Sequence, residues 1–433
     1  MPFESLTPAP RTIAVIGGGI SGMGAAYNLA QHHRVVLFEA EASIGGHART
    51  RPAGRHGADL VDTGFIVFNY ANYPHLTALF DELDVPVVKS DMSFGASIDG
   101  GRFEYGLKNL SAIFAQKKNA LNPRYLRMIR DIFKFNSRAL DIAKSDQTMT
   151  VGEMLDKLGV GSWFAERYIL PLSGAIWSTP VEKIMEFPAY AMMQFFENHA
   201  LLSHTGQHQW YTVEGGSRSY VTRLEAQMRA RGVEIRTGAY VDAVRRTVSG
   251  VEVKMNGADW EAFDDVVFAT HSDDSLRMLA DPRAHETAAL SKMAYQPNRV
   301  VLHSDASIMP RHKSVWSSWN YTEVTGRTDE PIDLTYWMNS LQSWLTGDDY
   351  FVTLNSNRTI REDLIWDEVT LRHPVYDLGA LEAQKEVAAF NGTDNTWFCG
   401  AWMKNGFHED GLSSALDVVA GINAATNIRV AAE

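Results

Sequence analysis

Three glycines near the N-terminus, Gly17, Gly19 and Gly22, have the spacing G-x-G-x-x-G. They follow Thr12–Ile16, a short apolar run rich in β-branched residues that predicts a buried strand. At a turn from strand to helix, the first glycine permits the tight bend, the second lets the backbone approach a pyrophosphate, and the third lets the helix pack against the strand. The free N–H groups and the dipole of the helix then favour phosphate binding. The spacing therefore predicts a dinucleotide site.

The elements that must position this turn follow it directly. Ser21–Gln31 predicts a helix, and Arg34–Phe38 predicts a second strand that ends on Glu39, where a carboxylate accepts hydrogen bonds from ribose hydroxyls. Because strand, helix, second strand and acid occur in this order, we interpret the stretch as a nucleotide-binding unit rather than an ordinary glycine-rich turn. Further cofactor contacts are expected at Ile20, Ser21 and Ala40. The stretch by itself leaves FAD and NAD open.

The overall composition excludes some classes of function. The chain has 433 residues, of which 45% are hydrophobic and 21% charged, as in a folded protein of more than one domain. Its formal net charge of −12 argues against nucleic acid as a partner, because nucleic-acid-binding domains are usually basic. The N-terminus lacks the pattern of a signal peptide, and no segment approaches the ~20 apolar residues that cross a bilayer. We therefore expect a cytoplasmic protein.

Disulfide and metal chemistry are not expected. Cys399 is the only cysteine, so neither an internal disulfide nor a cysteine-based metal site can form. The pair His408-Glu409 does not complete a zinc motif, because no second histidine lies four residues further on. We expect no metal, and we interpret Cys399 as a small buried apolar residue.

A second glycine pair lies in Ser43–Thr50, SIGGHART, a few residues past the ribose-binding acid. Here the chain resembles the flavin-containing amine oxidase and phytoene desaturase superfamily, whose members carry G-G-R-x-x-T at this place. The glycine pair and the threonine match, whereas His47 stands where the arginine usually is. The resemblance implies that Gly46 and His47 lie at the FAD and that Arg49 takes over the phosphate contact.

Three further stretches extend this resemblance. In the superfamily a small, glycine-containing turn packs against the flavin ring, and the matching residues here are Thr63, Gly64 and Phe65. A strand-turn-strand stretch over Gly232–Val244 would bring the backbone at Val241 to the adenine. The buried strand that follows would run in beside the dinucleotide, and it ends on Ala269 and Thr270.

The end of the chain resembles the closing motif of the superfamily. Thr396–Cys399 predicts a strand, and a helix is predicted from about Leu412. The residues that match the closing motif, and that would contact FAD, are Gly400, Asp410, Gly411 and Leu412. The helix N-terminus would point at the flavin pyrimidine oxygens, which favours FAD over NAD, although the acids could also be ordinary N-terminal helix acids. The cysteine loop that attaches flavin in some amine oxidases is absent, so we expect non-covalent FAD.

These observations predict an α/β fold. It has a Rossmann-like FAD-binding domain of the glutathione-reductase type and an interleaved α+β substrate domain. The discontinuous FAD-binding domain is expected to comprise residues 1–80, 208–290 and 391–433. The substrate domain is expected to comprise residues 81–207 and 291–390.

Residues 107–144 differ from the rest of this acidic chain. They hold nine Lys or Arg against two Asp, a local charge of +7, with apolar residues interleaved at mostly helical spacing. A basic amphipathic helix of this kind can lie on an anionic membrane surface. The alternative is a solvated basic face above an ordinary core stripe. The first interpretation predicts a protein that is peripheral on the inner membrane.

Three runs indicate the substrate class: residues 113–119 (IFAQKKN), 316–321 (WSSWNY) and 406–412 (GFHEDGL). They resemble a bacterial group that includes FAD-dependent desaturases of methylated fatty acyl chains in phospholipids, on the route to furan fatty acids. The resemblance implies an FAD-dependent oxidoreductase that removes a hydride and a proton from such chains, with a lipid as its partner. A homodimer remains among the options.

His408 and Glu409 are the candidates for a catalytic base, because their segment should pass the flavin ring; helix capping and packing are the alternative roles. A flavin amine oxidase is the alternative function, with Lys313 as a loose candidate for its lysine. A lipid or carotenoid desaturase and a double-bond isomerase are further alternatives.

Overall fold

The computed structural model describes residues 10–177, 181–199, 201–202, 208–324 and 332–426. In chain order, the strands are β1 (Thr12–Ile16), β2 (Arg34–Phe38), β3 (Thr50–Ala53), β4 (Asp59–Asp62), β5 (Val87–Ser90), β6 (Phe94–Ile98), β7 (Phe103–Gly106), β8 (Trp210–Val213), β9 (Glu234–Arg236), β10 (Val241–Thr247), β11 (Gly250–Met255), β12 (Trp260–Phe263), β13 (Asp265–Phe268), β14 (Ala294–His303), β15 (Trp319–Thr322), β16 (Asp333–Trp337), β17 (Phe351–Leu354), β18 (Ile365–Val375) and β19 (Thr396–Phe398).

The α-helices are α1 (Ile20–Leu29), α2 (Pro74–Glu82), α3 (Leu110–Ile113), α4 (Pro123–Ser145), α5 (Val151–Leu158), α6 (Ser162–Phe164), α7 (Leu170–Trp177), α8 (Val181–Ile184), α9 (Ala189–Asn198), α10 (Arg218–Ala230), α11 (Ser272–Met278), α12 (Ala284–Leu290), α13 (Met338–Leu341), α14 (Leu378–Phe390) and α15 (His408–Ala425).

A five-stranded parallel sheet carries the N-terminal glycine motif. Its strand order is β19-β13-β1-β2-β9, and β1 lies in the centre, paired with β2 on one side and β13 on the other. β1 is almost wholly buried because its residues are apolar on both faces, which is typical of a central parallel strand. In such a sheet, ligands bind outside the carboxyl ends of the strands, so the turn after β1 lies at the expected crevice.

A second, mainly antiparallel sheet has seven strands in the order β18-β14-β17-β16-β15-β6-β7. Its strands come from the segments predicted for the substrate domain, and those of the parallel sheet come from the segments predicted for FAD binding. The residue boundaries between the two domains stay a prediction. β18 pairs with β14 along its length, from Ile365 opposite His303 to Val375 opposite Ala294.

Smaller sheets complete the fold. β10, β11 and β12 form an antiparallel three-stranded sheet, β3 pairs with β4, and β5 pairs with β8. The stretch Thr150–Leu158, TVGEMLDKL, predicts a capped helix. The structure confirms it as α5, which begins with a capping box: Glu153 N donates to Thr150 Oγ1, and Thr150 N donates to a Glu153 carboxylate oxygen.

The last helix begins earlier than predicted. α15 starts at His408 rather than at Leu412, because the Asp410 carboxylate accepts a hydrogen bond from Phe407 N at 2.9 Å and so caps an additional first turn. The helix predicted over Ser21–Gln31 spans Ile20–Leu29, and the strand predicted over Thr396–Cys399 spans Thr396–Phe398. The paired glycine turn at Gly215-Gly216 predicts a further helix over Tyr220–Arg231, which the structure bounds as Arg218–Ala230.

The basic stretch predicted as an amphipathic helix is largely helical. α3 and a 3-10 turn over Lys117–Leu121 lead into α4, where the Asn122 side chain accepts a hydrogen bond from Arg124 N and Pro123 suits the first turn. The buried residues of α4 are Tyr125, Met128, Asp131, Phe135, Ala139 and Ala143. Among the described residues, no helix combines the length and the apolar character needed to cross a membrane.

Candidate active site

The glycine turn after β1 has the geometry that the spacing predicted. Gly17 has φ +105°, and a Cβ there would lie 2.8 Å from Ala269 O. A Cβ on Gly22 would overlap the carbonyl oxygen of Gly17. A Cβ on Gly19, by contrast, would meet nothing within 4 Å. The first and third glycines are therefore required by packing, whereas the second borders open space into which a phosphate fits.

Glu39 is fixed beside this turn. Its carboxylate accepts hydrogen bonds from Gly18 N at 2.7 Å and from Glu41 N at 2.8 Å. Ala239 N donates to Glu39 O at 2.8 Å, which brings the start of β10, with the buried Val241, close to the end of β2. The structure therefore brings together the two chain segments predicted to hold the adenosine. The individual contacts with FAD stay predictions.

The second glycine pair lies against the first motif. Gly45 N donates to Gly18 O at 2.8 Å, and a Cβ on Gly46, which has φ +55°, would lie 3.0 Å from Gly19 Cα. The two backbones approach closely because neither carries a side chain at the contact. Together they form a concave surface of main-chain groups next to the N-terminus of α1, where an anion is favoured.

Arg49, the predicted phosphate ligand, is engaged within the protein. Its guanidinium contacts the Asp367 carboxylate at 2.5 Å and 3.1 Å and donates to Thr63 Oγ1 at 2.9 Å. Asp367 belongs to β18, so the pair links the glycine loop to the second sheet. The charge of Arg49 is thus compensated by the half-buried carboxylate of Asp367, and a phosphate contact of Arg49 stays a prediction.

The turn predicted to face the flavin ring packs against the second glycine segment. Phe65 N donates to His47 O at 2.7 Å, and a Cβ on Gly64 would overlap that same carbonyl oxygen. The Phe65 ring stacks on His408, with ring centroids 3.9 Å apart and planes inclined by 11°. Three segments that are far apart in the sequence therefore meet at one place.

The C-terminal closure lies on the same site. Gly400 N donates to Ser414 Oγ at 2.9 Å, and a Cβ on Gly411 would lie 2.8 Å from Ser21 Oγ. Leu412 packs against α1 as well, since its Cδ1 lies 2.5 Å from the place that a Cβ on Gly24 would occupy. The N-termini of α1 and α15 thus lie side by side, and their dipoles favour negative charge between them.

Glu409 has a structural role. Its carboxylate accepts hydrogen bonds from His75 N at 3.0 Å, His75 Nδ1 at 2.6 Å and Leu76 N at 2.9 Å. It therefore caps the N-terminus of α2. These contacts engage the Glu409 carboxylate, and its role as a catalytic base stays a prediction. The sequence alone could not reveal this cap, because His75 lies 334 residues from Glu409.

His408 is held by Tyr220, whose hydroxyl lies 2.5 Å from Nε2. Burial keeps the pKa of Tyr220 well above its usual value, and burial lowers the pKa of His408 to about 3, so both groups are neutral at pH 7. Either group can donate in this contact: the Tyr220 hydroxyl to an unprotonated Nε2, or a protonated Nε2 to the hydroxyl oxygen. In both cases Nε2 is engaged by Tyr220.

A cluster of histidines lies next to this pair and was missed by the sequence analysis. The His47 ring centroid lies 5.7 Å from that of His373 and 6.5 Å from that of His271. His373 contacts Asn298 Nδ2 at 3.2 Å, and His271 stacks on Tyr295 at 4.2 Å. His47 comes from the glycine loop, His373 from β18 and His271 from the end of β13. Because these segments are far apart in the sequence, no local motif marks the cluster.

The histidine cluster is uncharged. Burial, with a further effect of the neighbouring rings, lowers the pKa of His271 and of His373 to about 3, and burial also lowers that of His47. His47 Nε2 is buried and has no hydrogen-bond partner among the described residues. A buried ring nitrogen without a partner indicates a site that a bound molecule completes.

These features fit FAD. Gly19 and Gly46 would border its pyrophosphate, Glu39 would accept from its ribose, and Phe65 and His47 would lie towards its ring system. Cys399 is fully buried, and burial raises its pKa to about 12, so no thiolate is available there for a covalent attachment.

Comparison with known proteins agrees with this site. The model of the flavin-containing amine oxidoreductase family matches residues 20–407. A 4,4'-diaponeurosporene oxygenase of Staphylococcus aureus (strain Mu50 / ATCC 700699) is 25% identical over 292 residues, 56% of this chain and 52% of that protein. The chain thus spans about half the length of the curated relatives that it matches.

Solved structures show the same fold across the chain. A fatty acid isomerase of P. acnes that produces CLA has a TM-score of 0.67 at 15% identity, over 95% of this chain and 98% of that one. A putrescine oxidase has a TM-score of 0.69 at 15% identity, over 96% and 99% of the two chains. The chain belongs to the flavin-containing amine oxidoreductase family.

Proposed function

We propose that the protein is a desaturase that removes a hydride and a proton from unsaturated, methylated fatty acyl chains of phospholipids. The observation that carries this proposal is an aromatic layer beside the site. Phe195 of α9 stacks on Phe407 with centroids 4.9 Å apart, and Trp177 packs on Phe195 at 5.0 Å. Because Phe407 directly precedes His408, we propose that the acyl chain reaches the candidate site along this layer.

The electrostatics of the site also favour an uncharged substrate portion over a cationic amine. The four histidines are neutral, and the nearby carboxylates of Asp367, Glu409 and Asp410 each accept hydrogen bonds from protein groups. An ammonium group would need a carboxylate or an aromatic cage that is free to face it. The fold itself is compatible with acyl chains, since the fatty acid isomerase of P. acnes shares it.

The chain's own residues suggest how the proton is handled. FAD, when bound, supplies the hydride acceptor. His408 Nε2 is engaged by the Tyr220 hydroxyl, so it is not available to the substrate proton. His47 Nε2 lacks such a partner, so we propose His47 as the group that accepts the substrate proton.

This assignment predicts an unusual pH dependence. Because burial lowers the pKa of His47 below its ordinary value of 6.5, the loss of rate on acidification should have its midpoint below pH 6.5. We expect the rate constant of flavin reduction by substrate to keep more than half of its pH 8 value at pH 6.5. His47→Gln should lower this rate by about a hundredfold while the flavin spectrum is retained. A loss of half the rate at pH 6.5 in the wild type would contradict the assignment.

The substrate proposal is tested by anaerobic bleaching of the flavin. Phospholipids with unsaturated or methylated chains, free fatty acids, carotenoids and amines are each mixed with the FAD-loaded protein, and absorbance of oxidised flavin is followed. We expect bleaching by the phospholipids. Bleaching by amines alone would make the protein an amine oxidase, and product formation without net bleaching or an electron acceptor would make it an isomerase.

A further inference from the structure

Exposed apolar side chains are concentrated on one part of the surface. Among the described residues, five of the eleven exposed large hydrophobic side chains lie between residues 107 and 133. Leu110 and Leu121 are 74% and 87% exposed, and Leu107, Leu126 and Phe133 are exposed as well. Exposed leucines at such density are uncommon on a surface that stays in water, and they indicate an interaction site.

Basic side chains surround these leucines. The exposed cations in this region are Lys108, Lys117, Lys118, Arg124, Arg127, Arg130, Arg138 and Lys144. Asp131 is the acid that contacts Arg127 and Arg130, and it is 2% exposed at its side chain, because it also accepts a hydrogen bond from Gly161 N. We call the exposed side chains of residues 107–144 the docking face.

The exposed apolar side chains of α4 share one face of the helix, with Arg130, four residues after Leu126, beside them. Leu126 and Phe133 are seven residues, or about two turns, apart and therefore point in the same direction. The opposite side of the helix holds the buried residues Tyr125, Met128 and Phe135. The outward face of α4 therefore carries exposed apolar residues in addition to those that pack in the core.

We propose that the docking face binds the anionic surface of a phospholipid bilayer. Leu110, Leu121 and Phe133 would enter the interface, and the surrounding Lys and Arg would contact acidic headgroups. Charge complementarity carries the choice of partner, because this face is positive in a chain of net charge −12. A second copy is a poorer partner, since a two-fold interface would place the same positive face against itself.

α4 lies between the docking face and the aromatic layer. Phe135, on the buried side of α4, packs on Phe196 of α9 at 6.3 Å, and the adjacent Phe195 stacks on Phe407 at the candidate site. A bilayer held at the docking face would therefore lie one helix away from the layer that we propose leads to His408. This last link rests on the proposed function, whereas binding to the bilayer does not.

The inference is tested by co-sedimentation of the FAD-loaded full chain with vesicles. We expect binding to phosphatidylcholine vesicles that also contain phosphatidylglycerol, much weaker binding to pure phosphatidylcholine, and a decline as NaCl rises from about 0.05 to 0.5 M. The double variant Lys117→Glu/Arg124→Glu should lower the partition coefficient by about tenfold or more. Leu110→Ser/Leu121→Ser should lower it several-fold, because these side chains would no longer enter the interface.

The matched control is Lys385→Glu/Val248→Ser, which changes one exposed cation and one exposed apolar residue elsewhere and should bind as the wild type does. An unchanged flavin spectrum shows that each variant is folded. Equal binding to both vesicle types, or unchanged binding by the docking-face variants, would overturn the inference. The inference would also be overturned if the wild type formed dimers through this face and did not bind vesicles. Because no turnover is measured, this outcome is independent of the substrate.

Discussion

Gly22→Ala is expected to yield protein without FAD and with lower stability. A Cβ at this position would overlap the carbonyl oxygen of Gly17, so either α1 must move away from β1 or the turn must open. Overpacking of this kind typically costs about 1–3 kcal/mol, and the displaced turn no longer presents its N–H groups to a phosphate. We expect FAD affinity, measured by fluorescence titration of apoprotein, to fall by at least about a hundredfold.

Gly19→Ala separates the loss of FAD affinity from the loss of stability. Gly19 has φ −74°, which alanine adopts readily, and its Cβ would meet no protein atom within 4 Å. The apoprotein should therefore unfold at the wild-type urea concentration, yet bind FAD more weakly, because the methyl group enters the space expected for the pyrophosphate. Gly347→Ala, also without neighbours, should change neither property. Wild-type FAD affinity in Gly19→Ala would show that the phosphates do not lie at this turn.

Asp62→Ala is expected to cause the largest loss of stability among single side-chain truncations at the site. Asp62 is fully buried, and its carboxylate accepts hydrogen bonds from Thr50 Oγ1 at 2.6 Å, Gln342 Nε2 at 2.7 Å, and both N and Oγ of Ser217. Truncation leaves these buried donors without an acceptor and opens a cavity. We expect the free energy of unfolding to fall by about 3 kcal/mol or more.

The measurement is urea unfolding at one fixed FAD concentration, because bound cofactor adds to apparent stability. Asp363→Ala provides the matched control: its side chain is 64% exposed and pairs with Arg361 at the surface, so its loss should cost less than about 0.5 kcal/mol. Asp62 connects three segments: the glycine loop at Thr50, the turn before α10 at Ser217, and Gln342, which directly follows α13. FAD affinity should therefore fall as well. Equal stability of the two variants would mean that water replaces the carboxylate.

The part of the site that could be predicted depends on spacing within single segments. The turn from β1 to α1, the acid at the end of β2 and the capping box of α5 each involve residues less than about 25 positions apart, where chain connectivity fixes the geometry. The resemblance added the later segments, including Phe65, Val241 and Gly411, whose contacts with FAD stay predictions. The structure shows that α15 begins at His408 and that Glu409 caps α2.

The remaining features arise from contacts between distant segments. Whether Glu409 is a base or a cap depends on where α2 lies, and whether Arg49 is free depends on Asp367 of β18. Likewise, the histidine cluster exists only because β18 and the end of β13 pass the glycine loop. None of these partners is encoded by local pattern, since hydrophobic periodicity indicates which residues face a core but not which elements meet there.

The sequence by itself determined that this protein has a dinucleotide turn and, through the spaced motifs, an FAD site. Two of these features depend only on residue type and local position: a glycine where no side chain fits, and an acid at the end of a strand. Both can therefore be recognised in the sequence. Tertiary structure decided which titratable groups at the site stay neutral, paired or free. That outcome depends on burial and on through-space partners, which change protonation by desolvation and hydrogen bonding rather than by position in the chain.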